Sequence, residues 1–342
     1  MPHGPRPLPL FLSMLGRETA RDAGRLTRAL AGLRAYQEAP RDSPMPAMPV
    51  AAQVGRAVLR DYGGTGPAVV VVPSLINPPG ILDLSPETSL LRWLAARGLH
   101  PWLIDWGTPG AEDRDLDLAG HVETLLVPLL RSLGEPSVLV GYCLGGTLAV
   151  AAAALMPVAG LATIAAPWHF TGYDAPSRAS LAAMWAAAKP WSSALGLVPI
   201  EVLQAAFWQI DPARTVAKYE AFAGMVPGSP AARAFVRLED WANSGAPLPY
   251  AAARALFEDC IVDDRPGEGG WHVGGAPVDP LRLGCPTVEF VSLIDRIVPP
   301  ATAIGWSDRR DLALGHVGMI VGGRARTALW DPLAAWIGSC AT

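Results

Sequence analysis

"SVLVGYCLGGTLAVAAAALM", Ser137 to Met156, is the stretch from which the fold can be read. Val138 to Val140 make a short apolar run, as in a strand covered on both faces. Leu148 to Leu155 are apolar without a break, which suits a buried helix. Between them Cys143 stands among Gly141, Gly145 and Gly146. A strand, a sharp turn and a helix with one nucleophilic side chain at the apex form a nucleophile elbow, here with Cys in the usual Ser position. Side chains two residues before and after the apex would collide, so glycine is needed at 141 and 145. Gly146 lets the helix pack closely. No charge occurs from Pro136 to Trp168, a length that could pass for a membrane span. The glycines, with Pro157 and Gly160, punctuate it instead as strand, turn, helix and second strand.

The same alternation extends in both directions. "AVVVVPS" (68–74), "HPWLIDWG" (100–107) and "GLATIAAP" (160–167) read as strands. "SPETSLLRWLAARG" reads as a helix starting at Ser85, with Pro86 in its first turn and Gly98 after its end. "DLAGHVETLLVPLLRSLG" is a second helix, broken or bent near Pro128. From about residue 168 to 265 the β-branched runs stop and the chain reads as mostly helical. The alternation resumes with "TVEFVSLID" (287–295), a strand near "RRDLALG" (309–315) and a closing helix "ARTALWDPLAAWIG". The expected fold is α/β, with a mostly parallel, doubly wound sheet and an inserted helical cap, as in the α/β-hydrolases. The core is placed at 51–167 and 266–342 and the cap at 168–265. An N-terminal helical extension and linker take 1–50, where Leu26, Leu30 and Leu33 share one helix face.

Composition narrows the function. The chain has 342 residues, 51% hydrophobic and 17% charged, with a net charge of −4. That suits a globular protein with a sizeable core and gives no reason to expect nucleic-acid binding. Four cysteines (Cys143, Cys260, Cys285 and Cys340) are too sparse for a disulfide framework, and none has metal-ligand spacing. "PLPLFLSML" lacks the basic start and small-residue cleavage site of a secretory signal, so a cytoplasmic protein is expected.

A nucleophile on such an elbow needs an acid and then a base, in that chain order. Asp295 ends "EFVSLID", with Asp105 of "IDWG" as the rival carboxylate. Of the six histidines only His316, in "LGHVG", lies beyond Asp295. His316 would take the thiol proton and Asp295 would hold its tautomer. The helix dipole at Cys143 favours a thiolate, and the Leu144 N–H points where an oxyanion would form. The second donor would come from the loop after "AVVVVPS". Leu75 and Ile76 are the alternatives there, with Ile76 preferred, and Asn77 would shape the loop or the pocket. His100, His121 and His272 have no evident partner. His169, in "APWHF", stays open between a site-lining and a structural role.

With these residues in place, the chain resembles the polyhydroxyalkanoate synthases, in particular the short catalytic subunits of the two-subunit (class III or IV) enzymes. The likeness runs from about residue 65 onward through "INPPGILDLSPETSLLRWLAARGLHPWLIDWG", "GYCLGGTLA", "AGMVPG", "FVRLEDW", "GGAPVDPLRLGCPTVEFVSLIDRIVPP" and "GHVGMIVGG". The resemblance implies Cys143, Asp295 and His316 as the triad. It also implies a 3-hydroxyacyl-CoA substrate, a growing polyester product and release of CoA, with no cofactor and no metal. A second synthase subunit or a homodimer is the implied partner, and the surface of a polyester granule the implied location, without a transmembrane segment. Where the family usually has His directly after the acid, this chain has Arg296. The large N-terminal domain of the one-subunit synthases is missing, and residues 1–60 match nothing in the family. The alternative reading is a Cys hydrolase of the same fold, an acyl-CoA thioesterase or intracellular polyester depolymerase. A third is a non-catalytic subunit.

Chemistry favours the synthase reading. Exchanging the CoA thioester for a Cys143 thioester keeps the acyl group activated for attack by a hydroxyl, and His316 can serve both steps. Such an intermediate must be kept from water. The Trp-rich stretch with Trp185, Trp191 and Trp208 suits either a dry lid or ordinary helix packing.

Overall fold

The computed structural model describes residues 4–340. It separates into two compact units, each made of two chain segments. One runs from Ala47 to Val198 and again from Ala246 onward. The other joins the residues up to Pro46 with Pro199–Gly245.

The first unit is built on an eight-stranded sheet. Its strands are β1 (Val50–Val54), β2 (Ala57–Asp61), β3 (Ala68–Val72), β4 (His100–Asp105), β5 (Val138–Tyr142), β6 (Gly160–Ile164), β7 (Thr287–Ser292) and β8 (Arg309–Leu312). They lie in the order β1-β2-β4-β3-β5-β6-β7-β8. β1 and β2 pair antiparallel with each other, and β2 with β4; every other pairing is parallel. Burial explains the sequence signal. All five residues of β5 and of β6 are buried, as expected for strands covered by helices on both faces, whereas the edge strand β8 alternates between exposed and half-buried. The expected parallel, doubly covered sheet is present.

Local details differ from the sequence reading. The helix after the β3 loop is Leu90–Ala96, and its cap is Ser89, whose Oγ accepts the Arg92 N–H at 3.0 Å. Ser85 instead accepts the Thr88 N–H and closes a small hairpin of Asp83–Ser85 with Thr88–Ser89. The second helix continues through Pro128 as Leu118–Gly120, a π-helical His121–Leu126 and Val127–Arg131. The wider π turn accommodates proline, which removes a backbone donor.

The region read as one cap is divided by the structure. The helix Ala175–Leu195, capped by Asp174 and closed by Gly196 at φ 76°, belongs with the sheet. Trp185 stacks on Phe257 at 5.3 Å and its indole N–H donates to Glu258 at 2.7 Å. The strand Leu197–Val198 pairs antiparallel with Leu248–Pro249.

The second unit is helical: Leu8–Glu18, Ala23–Glu38, Ile200–Ile210, Pro212–Ala223 and Pro230–Ala242. Asp22, Asp211 and Ser229 cap three of these helices, and proline follows directly after Asp211 and Ser229. Its core gathers Phe11, Leu33, Tyr36, Trp208, Tyr219 and Phe222. Gly32 sits so close to the Pro212–Ala223 helix that a Cβ there would fall 1.8 Å from the Tyr219 carbonyl oxygen. The buried face of Ala23–Glu38 is therefore Ala29, Gly32, Leu33 and Tyr36, while Leu30 of the expected leucine face is exposed. Two buried phenols find carboxylates, Tyr36 on Asp240 at 2.6 Å and Tyr219 on Glu239 at 2.8 Å. So N-terminal residues read as a separate extension share a core with 199–245. Among the described residues no helix is long and apolar enough to cross a membrane.

Candidate active site

The turn after β5 has the backbone expected of an elbow. Cys143 adopts φ 56° and ψ −135°, a region that non-glycine residues rarely occupy. The surrounding contacts hold it there. The Cys143 N–H donates to the Ile164 carbonyl at 2.9 Å, and the Gly146 N–H to the Cys143 carbonyl at 2.8 Å. A Cβ at Gly141 would come within 2.3 Å of the Gly146 Cα, and one at Gly145 within 2.2 Å of the Val72 oxygen. Both glycines are required by backbone on all sides. The helix Leu144–Leu155 starts at once, so the thiol lies at its N-terminus.

Asp295 follows β7 and His316 follows β8. The His316 Nδ1–H donates to Asp295 Oδ2 at 2.6 Å. The other carboxylate oxygen accepts from the Ile297 and Val298 amides at 2.7 and 3.1 Å, which fixes the carboxylate plane. The second ring nitrogen of His316 has no other hydrogen-bond partner among the described residues, and Cys143 lies within electrostatic reach of the ring. Tyr142 stacks on the His316 ring at 5.1 Å and its hydroxyl donates to the His316 carbonyl at 3.4 Å. Burial disfavours the charged imidazolium, but the Asp295 and Cys143 charges and their hydrogen bonds outweigh it, raising His316 from 6.5 to about 10. The bond to Asp295 thus favours the protonated ring. Cys260 is the opposite case, with burial driving its thiol well above the ordinary range.

Asp295 and His316, named from the chain order, are bonded to each other, and the elbow carries Cys143 at its apex. Leu144 is buried and opens the helix, where the first amides lack intrahelical acceptors. In the loop after β3 the Ile76 N–H donates to Ser74 Oγ at 3.2 Å, which commits the preferred amide. Leu75, the alternative, has no acceptor for its amide among the described residues. Asn77 is half-buried in the same loop. Asp105, the rival acid, is paired with Arg60 at 2.7 Å.

The other histidines are occupied elsewhere. His100 meets Asp61 at 2.7 Å, His121 lies between the Asp117 carbonyl and Arg56, and His272 meets the Gly270 carbonyl. His169 lines a cavity of about 670 Å³ with Trp168, Val278 and Ile304. Among the described residues no group of three His, Cys, Asp or Glu is placed to hold a metal ion. Two site tyrosines were missed from the sequence. Tyr142 lies inside the elbow motif and was open to notice; Tyr173, bonded to the Ile297 carbonyl in the loop that holds Asp295, carries no local signal.

No protein-family model matches the chain. The poly(3-hydroxyalkanoate) polymerase subunit PhaC of Haloferax mediterranei is 30% identical over 284 residues, which cover 78% of this chain and 58% of that protein. The PhaC subunit of Allochromatium vinosum is 27% identical over 79% of this chain and 80% of its own length. The chain thus spans about three fifths of the Haloferax relative and of the Haloarcula marismortui PhaC, of which it covers 60%. Among solved structures, the Acinetobacter baumannii protein lip1 superposes with a TM-score of 0.50 over 96% of this chain and 97% of its own, at 13% identity. That likeness concerns the fold. The chain is accordingly a relative of the PhaC subunits of poly(3-hydroxyalkanoate) polymerases, built on an α/β-hydrolase fold.

Proposed function

We propose that this chain is a Cys-dependent acyltransferase that polymerises (R)-3-hydroxyacyl-CoA into polyester and releases CoA. The observation that carries the reading is the His316–Asp295 bond at 2.6 Å beside the strained Cys143 elbow, with the sulfur within electrostatic reach of the ring. The relatives named as poly(3-hydroxyalkanoate) polymerases support the substrate class.

His316 holds the Cys143 proton while the sulfur attacks the thioester carbonyl. The Leu144 amide and, in the β3 loop, the Leu75 amide stabilise the resulting oxyanion. Collapse breaks the carbon–sulfur bond to CoA, and His316 returns the proton to the leaving thiolate. The acyl group then sits on Cys143 as a thioester. A 3-hydroxyl gives its proton to His316, its oxygen attacks the carbonyl, and an ester replaces the thioester as Cys143 leaves. Asp295 keeps the ring in one tautomer and supports the imidazolium throughout. On this reading the CoA thioester is the substrate and no cofactor is called on. The reading places the protein in the cytoplasm, at the surface of polyester granules, with a second synthase subunit or a second copy as partner.

The test is incubation with 3-hydroxybutyryl-CoA, with CoA release followed and the acyl product identified. Polymer supports the synthase. Free 3-hydroxybutyrate in step with CoA would make the protein a hydrolase instead.

A further inference from the structure

Tyr173 stands where the loops after β6 and β7 meet. The Trp168 and His169 amides both donate to the Thr302 carbonyl, at 2.8 and 3.0 Å. A Cβ on Gly172 would lie 2.4 Å from the Ala301 carbonyl carbon, so the two backbones touch. Asp264, itself at φ 48° and buried, accepts from the Phe170 N–H, the Thr171 N–H and the Thr171 hydroxyl at 2.7, 3.0 and 2.6 Å. The segment before Tyr173 is thus fixed by two independent sets of bonds. The Tyr173 ring stacks on Phe170, and its hydroxyl donates to the Ile297 carbonyl at 2.9 Å. Ile297 in turn donates its N–H to Asp295 at 2.7 Å, so the phenol is tied to the loop that holds the acid.

A phenol has one proton to donate. With it given to Ile297, the oxygen can only accept. Among the described residues nothing donates to it. We infer that Tyr173 recognises the hydroxyl of the substrate: its oxygen, oriented by the bond to Ile297, accepts a hydrogen bond from the 3-hydroxyl of an acyl group entering at Cys143. The inference rests on the proposed acyl transfer and goes further by naming the residue that separates hydroxyacyl from plain acyl thioesters. A plain acyl group would leave that oxygen without a donor in a half-buried site, which is the situation in which discrimination is strong.

The experiment compares acylation of Cys143 by 3-hydroxybutyryl-CoA and by butyryl-CoA, read by intact-protein mass spectrometry, in the wild type and in Tyr173→Phe. Iodoacetamide alkylation of Cys143 in both proteins reports any general change in thiol reactivity, including one passed through Ile297 to Asp295. The wild type should prefer the hydroxyacyl thioester by about tenfold or more, and Y173F should lose most of that preference. Its butyryl-CoA rate should move only as far as alkylation does. Tyr173→His, which keeps both a donor and an acceptor, should recover part of the ratio. If Y173F melts earlier, all rates are read below both transitions. An unchanged ratio in Y173F, or equal losses on both thioesters, overturns the inference and leaves acyl transfer standing. Acylation of the wild type by neither thioester overturns the parent reading and this one with it.

Discussion

Cys143 is held at φ 56°, within electrostatic reach of a buried imidazole whose Nδ1 is bound to Asp295. A hydroxyl in place of the thiol would be far harder to ionise and would form a less activated ester. Cys143→Ser is expected to lower CoA release from 3-hydroxybutyryl-CoA by about a hundredfold or more, measured by continuous thiol detection. His316 carries a second expectation. Its pKa is raised on folding, so its stabilisation is complete below the unfolded value of 6.5 and disappears as pH climbs through about 10. The stability difference between wild type and His316→Gln, from urea denaturation, should therefore shrink steadily from pH 6.5 to 10. A difference that grows across that range would contradict the ion pair. The elbow at Cys143 and the pairing of Asp295 with His316 were legible because motif and chain order are properties of the sequence. Which amide of the loop is already bonded was not, because that depends on the Ser74 side chain, which accepts the Ile76 N–H.

At the scale of elements, the elbow works because two layers touch. The helix Leu144–Leu155 starts against the end of β3, and Gly145 is the point of contact. Gly145→Ala would drive a Cβ into the Val72 carbonyl at 2.2 Å, with backbone rather than a yielding side chain in the way. The expected cost is about 2 kcal/mol or more, read as a lower urea midpoint. The strands of the sheet were readable because those in its middle are buried on both sides, which leaves continuous apolar runs. Helix starts were less readable. Ser85 and Ser89 offer the same capping chemistry, and the hairpin that uses Ser85 forms only when Asp83 meets Ser89. Pro128 pointed to a break or a bend; the helix is not broken there, and a π turn precedes the proline.

At the scale of the molecule, the unexpected feature is the helical unit assembled from the residues up to Pro46 and Pro199–Gly245. Its sequence signal was weak because each half shows only ordinary amphipathic helices. What joins them is the crossing at Gly32 and a ring cluster in which Phe11 meets Trp208 and Tyr219 at 5.4 Å each. Neither is visible in one segment alone. Gly32→Ala should therefore reduce hydrogen-exchange protection of both Ala23–Glu38 and Pro212–Ala223, while amides of β5 and β6 keep theirs. Equal loss in all four segments would argue against two separate cores. The split arrangement also has a consequence during translation. Roughly 150 residues separate the two halves of this core, so at about 5–20 residues per second the N-terminal helices wait on the order of 10–30 s for their partners. Through that interval Phe11, Leu33 and Tyr36 lack the neighbours that later cover them, so the nascent chain on the ribosome presents a greasy surface that a chaperone would have to shield.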